Sequence, residues 1–417
     1  MEDRIIMHVD INFAFLAMEA AYRLQCGEML DIRTIPSVIG GNEEARHGIV
    51  LAKSNLAKKA GIKTGESLWN ARLKCPGLLV IPPNYKLYIK ASKGLTEILK
   101  RFAPVVEQFS IDEAWMDYTN MDKNFGYYYT RAIELKETIK KELGFTVSVG
   151  ISSNKILSKM ASDLKKPDAV TTLFPNEIKE KMWPLPVEDL FMVGSKTKKK
   201  LNDLNIKNIG QLAASDPQLI YEKLKSHGLL IHGYANGIDN SPVRMGQRFE
   251  MKGIGNSSTS SKDLTTRQEV VLFIRSLVET MANRMREAGK MGRVFSLGLR
   301  TSGFMYYSHQ IKYPVPTNIT SEIMEIYERL LDELWKKEPL RHVGVRTSEL
   351  YDEYSYQLTF FDNPRREKLK ALDRTIDELR DRYGSNSIFS ASFINSGLRY
   401  LNGGYPEDEY PPMSSIL

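Results

Sequence analysis

Two adjacent carboxylates stand in the stretch Ser110-Ile111-Asp112-Glu113-Ala114. The residues on either side, 104–109 and 113–117, both favour β-strands, so the pattern predicts a tight hairpin that presents Asp112 and Glu113. Two neighbouring carboxylates raise each other's pKa unless a cation lies between them. Hard oxygen ligands of this kind suit Mg²⁺, which takes one or two carboxylates together with substrate phosphates.

A third acid follows another apolar strand, because Asp10 ends the segment Ile5-Ile6-Met7-His8-Val9. Three acids around two Mg²⁺ ions form the arrangement that in-line phosphoryl transfer requires. Taken alone, the Asp-Glu pair favours a solvated turn after a strand over a metal site. The motifs elsewhere in the chain must decide between a metal site and a plain turn.

Composition limits the class of protein. The chain has 417 residues, of which 42% are hydrophobic, so it can bury the cores of several domains. Its net charge of +7 is compatible with a polyanionic partner but does not require one. The two cysteines, Cys26 and Cys75, form no disulfide framework, and no apolar run reaches membrane-spanning length. We therefore expect a cytoplasmic protein with no membrane partner.

The order of predicted elements divides the chain. Strand, helix, hairpin, helix and strand make a split βαβ unit from 1–13 and 82–170, with a small insertion at 14–81. A helical segment follows at 171–240, then a linker at 241–253, and a second α/β unit at 254–362. The tail, 363–417, contains one amphipathic stretch, and we expect the residues after it to lie loosely.

The helical segment contains a candidate phosphate-binding hairpin. A short helix, a turn at Val193-Gly194 and a Lys-rich second helix would aim backbone N–H groups at a phosphate. Lys196 and Lys198 would lie behind that turn. An ordinary helix pair with a solvated basic face explains the same residues equally well.

The second α/β unit contains a candidate nucleic-acid-binding sheet. In the strand 293–301, apolar residues alternate with small or polar ones, and we expect the polar face to carry Arg293 and Arg300. A neighbouring edge adds the hydroxyl groups of Ser258, Thr259 and Ser260. Such a face suits a phosphate backbone, and a solvated sheet face is the alternative.

Four ordered motifs resemble those of the Y-family translesion DNA polymerases, the family of DNA polymerase IV and the catalytic subunit of DNA polymerase V. The motifs are His8-Val9-Asp10-Ile11-Asn12-Phe13-Ala14-Phe15, Ser110-Ile111-Asp112-Glu113-Ala114, Ser148-Val149-Gly150-Ile151-Ser152-Ser153-Asn154-Lys155 and Gly237-Ile238-Asp239-Asn240-Ser241-Pro242-Val243. The resemblance covers residues 4–362. It implies an α/β (α+β) right hand with a palm (1–13 and 82–170), small fingers (14–81), a helix-hairpin-helix thumb (171–240) and an α/β little finger (254–362). It also implies a monomer that extends primer–template DNA with deoxynucleoside triphosphates across damaged bases.

The resemblance also assigns site residues. Asp10, Asp112 and Glu113 match the catalytic carboxylates that bind two Mg²⁺ ions, with the carbonyl of Ile11 as a further ligand. Phe15 matches the steric gate, an aromatic ring that leaves no room for a ribose 2′-hydroxyl. The implied nucleotide-binding set is Asn12, Phe13, Ala14, Phe15, Asn55, Lys58 and Lys155, although Phe13 also suits a core position.

The chain departs from the family pattern in two places. Asn55 and Lys58 occupy fingers positions where the family often has a Tyr and an Arg that grip the triphosphate. Lys58 keeps the charge but lacks the bidentate fork of an arginine. The Pro-Gly that usually precedes the thumb-hairpin glycine is Phe191-Met192 here, which weakens the case for tight phosphate contact at that turn.

A short peptide after the little finger resembles the segment with which bacterial polymerases hold the sliding clamp. Gln357, Leu358, Phe360 and Phe361 supply the amide, aliphatic and aromatic anchors that such a groove takes. The alternative is the frayed end of the last strand. The position of the peptide favours a sliding-clamp partner.

Two other functions, a nucleotidyl cyclase and a non-catalytic DNA-binding protein, fit part of the sequence. A nucleotidyl cyclase shares the palm topology and a paired-acid hairpin but needs no thumb hairpin, basic sheet or clamp peptide. A non-catalytic DNA-binding relative would have lost its acids, yet Asp10, Asp112 and Glu113 are all present. The sequence favours the polymerase.

Overall fold

The computed structural model describes residues 4–44, 46–122, 126–245, 251–353, 365–385, 387–398 and 400. The chain divides into two units. The first contains the described residues of 4–40 and 50–245, and the second those of 41–49 and 251–400. The clamp-like peptide at 357–361 lies outside the described residues. No helix in the described part of the chain is long and apolar enough to cross a membrane.

A five-stranded sheet forms the centre of the first unit, in the order β5-β6-β1-β7-β8. Its strands are β1 (Ile6–Ile11), β5 (Val105–Gln108), β6 (Glu113–Asp117), β7 (Val147–Ser152) and β8 (Val170–Thr172). The middle strand β1 is buried along its whole length and pairs antiparallel with β6 and β7. The strand is apolar on the face of Met7, Val9 and Ile11, whereas the other face buries His8 and Asp10 beside Ile6.

Helices cover both faces of this sheet. They are α1 (Ala14–Gln25), α4 (Tyr85–Phe102), α5 (Tyr128–Leu143) and α6 (Lys155–Leu164). Met7, Val9 and Ile11 of β1 join the core formed with α1, α4 and α5. Since side chains alternate along a strand, His8 and Asp10 point to the opposite face, where His8 contacts Ser162 of α6. The catalytic acid predicted at the end of β1 therefore lies on the α6 side.

The fingers form a small sheet with its own core. Their elements are β2 (Ser37–Gly40), β3 (Val50–Lys53), α2 (Asn55–Lys59), α3 (Leu68–Lys74) and β4 (Leu79–Ile81). Val38, Val50, Ala57 and Leu68 are among the residues of that core. The side chain of Ser54 caps α2 by accepting from the Ala57 amide, which fixes the direction of Asn55 and Lys58.

The thumb is helical and shares its core with α6. Its helices are α7 (Ile178–Lys181), α8 (Ser195–Asn202), α9 (Ile209–Ala213) and α10 (Pro217–Ala235). Ile156 and Leu157 of α6 pack with Leu190 and Leu201 of the thumb. The start of the expected linker is also packed, because Val243 lies against Ile6 and Trp115 of the palm.

The second unit is a four-stranded antiparallel sheet with helices on one face. The strands, in the order β11-β10-β12-β9, are β9 (Gly253–Leu264), β10 (Lys290–Thr301), β11 (Tyr306–Thr317) and β12 (Leu340–Asp352). The helices α11 (Arg267–Glu287) and α12 (Thr320–Leu334) bury the apolar residues of that face. The predicted order of strands and helices is observed.

The tail forms a helix where its amphipathic stretch is predicted, and the described residues after that helix are mostly exposed or half-buried. The helix α13 (Arg366–Tyr383) is bound to the little finger, and Arg286 donates to both carboxylate oxygens of Asp377. Asp373 Oδ2 accepts from the amide of Thr320 at 2.8 Å, at the start of a helix whose own N-cap residue supplies no capping side chain. Further on, Phe393 is buried. Charged residues of the tail find partners across the fold, which local composition could not show.

Candidate active site

The acidic hairpin and the end of β1 lie side by side. Asp10 and Glu113 are direct partners in the β1–β6 pairing. The amide of Ile11 donates to the carbonyl of Asp112 at 3.0 Å, and the amide of Phe109 closes the turn on the carbonyl of Glu113 at 3.0 Å. The fold therefore brings the three predicted acids to the same end of adjacent strands.

Each of these acids has its own partner. Lys166 Nζ lies 2.9 Å from Asp10 Oδ1, and the Ser110 hydroxyl donates to Asp112 Oδ1 at 2.6 Å. Lys159 Nζ lies 2.6 Å from Glu113 Oε2. As the side chains stand, the described part of the chain contains no group of three or more His, Cys, Asp or Glu side chains that could hold a metal ion. The backbone brings the acids together, but their side chains point to separate partners.

Burial controls the charge of this site. It raises the pKa of Asp10 to about 7, against the opposing charge of Lys166. Burial also raises the pKa of Asp112, against the hydrogen bond from Ser110. It acts in the same direction on Glu113, but contact with His8 and the charge of Lys159 hold the pKa of Glu113 below its usual value.

This donor set fits a hard divalent cation. Carboxylate oxygens are the ligands that Mg²⁺ prefers, and carboxylates taken out of water need a cation to remain ionised. Asp10 is only 8% exposed, and its raised pKa reflects the cost of burying its charge without a cation. Asp10, Asp112 and Glu113 would hold the ion once the side chains of Asp10 and Asp112 turn toward Glu113.

A cavity of about 200 Å³ opens beside Asp10. Its lining residues are Asp10, Asn12, Phe13, Asn55, Lys58, Lys166 and Pro167. Asn55 and Lys58 are exposed at the start of α2, and Lys166 adds a second positive charge on the palm side. The cavity therefore brings a carboxylate, an amide and two ammonium groups together, a combination suited to a metal-bound polyphosphate.

Asn12 organises the loop that carries Lys166. Its amide nitrogen donates to Ser148 Oγ at 2.9 Å, and its oxygen accepts from the Thr146 hydroxyl at 3.1 Å and the Asp168 amide at 2.8 Å. The residue is buried and uses its side chain for these bonds. The contribution of Asn12 to the cavity is therefore mainly structural, because its hydrogen bonds hold the residues of the cavity wall.

The two aromatic residues that follow lie differently. Phe15 is half-buried near the start of α1 and stacks on the buried ring of Tyr88, with centroids 4.6 Å apart. Phe13 has a left-handed backbone (φ 58°), packs against the palm core as expected, and also lines the cavity. Ala14, between them, is the first residue of α1.

Lys155 is not part of the cavity lining. Its ammonium lies 2.7 Å from Glu107 Oε1 and 4.4 Å from the centre of the Trp115 ring, and the residue is 5% exposed. The first turn of α6 buries this side chain against β5 and β6, so the nucleotide-binding role expected for Lys155 stays a prediction without support from the cavity. Lys166, just beyond α6, occupies the place expected of it.

The thumb hairpin exposes only part of the predicted phosphate site. Gly194, the N-cap residue of α8, and Lys196 are exposed, whereas Val193 is buried in the thumb core. Lys198 pairs with Glu188. Gly194 has no side chain in the way of a phosphate at this helix start.

The residues expected to bind DNA lie on both faces of the little-finger sheet, and their DNA-binding role stays a prediction. Thr259, His342 and Arg300 form one row across the strands, and Arg300 is exposed. Ser258 is paired with the core residue Val343, so it lies on the helix-covered face, and Ser260 is buried.

Arg293 also differs from the expectation. The pairing of β10 with β12 is regular from Lys290 to Arg300, so residues seven apart point to opposite faces. Arg293 donates to the carbonyl of Tyr313 at 3.2 Å. The exposed Arg346 was not among the residues predicted from the sequence, although it lies between the buried residues Val345 and Thr347 and follows from strict alternation along this strand.

Comparisons with known proteins agree with this architecture. The model of the impB/mucB/samB family matches residues 9–163, that of its C-terminal domain 251–360, and that of the family's HHH motif 175–206. The chain therefore belongs to the impB/mucB/samB family of Y-family DNA polymerases. A relative from Clostridium acetobutylicum named DNA polymerase IV is 48% identical over 94% of this chain and 98% of its own length.

Two further matches support the assignment. A DNA polymerase IV of Acetivibrio thermocellus is 40% identical over 92% of this chain and 96% of its own length. A solved Y-family DNA polymerase chimera of Dbh and Dpo4 has a similar fold, with a TM-score of 0.70 and 22% identity over 83% of this chain and 98% of that one. The likeness to the chimera concerns the fold alone.

Proposed function

We propose that this chain is a DNA-directed DNA polymerase that adds deoxynucleotides to a primer 3′ end opposite damaged template bases. The observation that carries the proposal is the direct pairing of Asp10 with Glu113, beside a cavity that holds Asn55, Lys58 and Lys166. Acids and phosphate-binding cations thus meet at one place. Membership of the Y family and the DNA polymerase IV relatives support the same activity.

Asp10, Asp112, Glu113 and the carbonyl of Ile11 would hold two Mg²⁺ ions. When bound, Mg²⁺ ions supply charge neutralisation for the leaving pyrophosphate and lower the pKa of the primer 3′-hydroxyl. The three acids, carried by paired strands, fix the place of the transfer relative to the cavity. The amides of Phe109 and Ser110 both donate to the carbonyl of Glu113, and these hydrogen bonds hold the acidic hairpin in place.

Lys166, Lys58 and Asn55 would bind the phosphates of the incoming nucleotide. Lys166 and Lys58 supply positive charge from the palm and from the fingers, and Asn55 supplies an amide donor. Phe15, held by Tyr88, would lie under the deoxyribose and exclude a 2′-hydroxyl by steric clash. This assignment gives Lys166 the role that the sequence suggested for Lys155.

DNA would be held through its backbone. The exposed start of α8 at Gly194 and Lys196 suits a phosphate, as does the sheet face that carries Thr259, Arg300 and Arg346. Contacts of this type carry no base information, so they tolerate any duplex sequence, as synthesis on a general template requires.

We further propose that the polymerase acts as a monomer tethered by a sliding clamp. The tether would be the peptide with Gln357, Leu358, Phe360 and Phe361, which follows the last little-finger strand. A tether raises the effective concentration of a weakly bound polymerase at the primer end.

Primer extension by the purified chain tests the proposal, on undamaged templates and on templates with one damaged base. We expect extension on both, with Mg²⁺ required. The same protein is incubated with nucleoside triphosphates and no DNA, because a cyclase would release a cyclic nucleotide and pyrophosphate. Cyclic product without primer extension would replace the polymerase with the cyclase.

A further inference from the structure

Glu113 is held by one oxygen only. His8 Nε2 lies 3.4 Å from its Oε2, and Lys159 Nζ lies 2.6 Å from the same atom. Within the described part of the chain, Oε1 has no hydrogen-bonding partner. This arrangement leaves Oε1 available to a cation while Oε2 is fixed by the protein.

Lys159 is itself enclosed by aromatic rings. Its ammonium lies 5.8 Å from the ring centre of Phe109 and 5.3 Å from that of Phe191, and the side chain is 9% exposed. An ammonium group is attracted to the face of an aromatic ring, and the attraction grows when water is excluded. The two rings therefore restrict where the ammonium can lie.

The two rings come from different parts of the first unit. Phe109 precedes the acidic hairpin in the palm, whereas Phe191 belongs to the thumb hairpin, one of the two positions where this chain departs from the family's Pro-Gly pattern. The rings also contact each other edge to face, with centroids 6.0 Å apart. Leu190 and Val193, on either side, are buried in the thumb core and fix the hairpin that carries Phe191.

We propose that Lys159 is a positioning residue for nucleotide transfer, and that Phe191 of the thumb hairpin holds it in place. Lys159 binds Oε2 of Glu113 and so directs Oε1 toward the metal site. Phe191 and Phe109 keep the ammonium beside the carboxylate and away from the place of the incoming cation, which would repel it. The position of the thumb hairpin thereby affects the geometry of a proposed metal ligand in the palm.

This inference rests on the proposed role of Glu113 in metal binding. The first experiment measures single-turnover insertion by the full chain on primer–template DNA, with Lys159→Met and Lys159→Arg. We expect Lys159→Met to lower the maximal insertion rate about 10- to 100-fold, because misplacement of a reacting group by about 1 Å has effects of that size. The nucleotide KM and the DNA Kd should stay within about threefold of wild type, and Lys159→Arg should recover most of the rate.

Lys181→Met is the matched control, since Lys181 forms a Lys–Glu pair with Glu177 in the thumb, away from the acids. It should insert nucleotides at the wild-type rate. If Lys159→Met does not fold, the decision falls to Phe191→Leu, which removes the ring face but keeps an apolar side chain, and to Phe191→Trp, which restores a ring. The first should slow insertion several-fold at unchanged KM, and the second should not.

A second readout does not depend on turnover. The residue at position 191 is replaced by 4-fluorophenylalanine, and its ¹⁹F resonance is followed while Mg²⁺ is added to the enzyme with a dideoxy-terminated primer and the next nucleotide. We expect the resonance to move in the wild-type background and to stay in place in Lys159→Met.

The inference would be overturned if Lys159→Met inserted nucleotides within twofold of the wild-type rate. It would also be overturned if the fluorine resonance did not move on addition of Mg²⁺ in the wild-type background. Glu113→Gln distinguishes a failure of the proposed metal site from a failure of the positioning role of Lys159. If Glu113→Gln inserts nucleotides normally, the proposed metal site is wrong. If it is inactive while Lys159→Met is normal, only the positioning role fails.

Discussion

Lys166 Nζ lies 2.9 Å from Asp10 Oδ1, so the loop after α6 supplies an ammonium group to the first of the three proposed catalytic acids. The same ammonium lies 2.7 Å from Asp163 Oδ1. With two carboxylates as partners, Lys166 is anchored at the mouth of the cavity. An incoming triphosphate would meet this charge directly beside the metal-binding acids.

Replacing Lys166 by Met should raise the KM for deoxynucleotides about 10- to 100-fold, since a hydrogen bond between charged groups contributes roughly 1.5 to 3 kcal/mol. Steady-state insertion kinetics measure it. Lys155→Met is the comparison, because Lys155 is paired with Glu107 outside the cavity. That variant should keep the nucleotide KM and lose about 3 to 5 kcal/mol of folding stability, because a buried Glu107 is left without its cation. If Lys155→Met raised the nucleotide KM and Lys166→Met did not, Lys155 would have the nucleotide-binding role that the sequence predicts.

The contrast between these lysines shows what the sequence could reveal. Lys155 ends a recognisable motif, whereas Lys166 lies eleven residues beyond it, so the motif favours Lys155. The direction of the side chain excludes Lys155 from the cavity, because the first turn of α6 directs it to Glu107 and Trp115. Lys166 depends on a loop tied by Asn12 through bonds to residues more than 130 positions away, and no local pattern encodes such a bond.

Phe15→Ala should admit ribonucleotides. The substitution removes a ring that stacks on Tyr88 and creates space for a 2′-hydroxyl. The ratio of ribonucleotide to deoxynucleotide insertion should rise about 100-fold, the upper range for steric discrimination by a pocket. Phe13→Ala serves as the control, and an equal ratio in wild type and Phe15→Ala would show that Phe15 is only a packing residue.

DNA affinity should fall with salt, because the proposed contacts reach phosphates. Arg300→Ala should reduce the slope of log K against log salt by about one. Ser260→Ala, on the same sheet but buried, should leave the slope unchanged. A flat salt dependence for the wild-type protein would exclude the phosphate-holding sheet.

The little-finger sheet shows which residues of a strand can be assigned to a face from the alternation of the sequence. Alternation in β10 correctly gives Phe295, Leu297 and Leu299 to the core. The same rule, applied to Arg293, places it opposite Arg300, as the structure shows. The packing of α13 on the little finger lies beyond any periodic rule, because it depends on buried ion pairs such as Arg380 with Glu279.

Replacing Leu358, Phe360 and Phe361 together by Ala should leave synthesis on a short primer unchanged, since the peptide has no part in the proposed active site. On a clamp-loaded template the variant should lose its stimulation, because these three residues would supply most of the clamp affinity. Primer extension with and without the clamp measures both. Equal stimulation of variant and wild type would place the clamp contact elsewhere in the chain.

The central claim is that Asp10, Asp112 and Glu113 carry metal-dependent nucleotide transfer. Single-turnover primer extension by Asp112→Ala, with DNA affinity measured on the same protein, tests it most directly. We predict a loss of about 1,000-fold or more in the extension rate, roughly 4 kcal/mol of the activation barrier, at a DNA Kd close to that of wild type. Extension by Asp112→Ala at one tenth of the wild-type rate would contradict the claim.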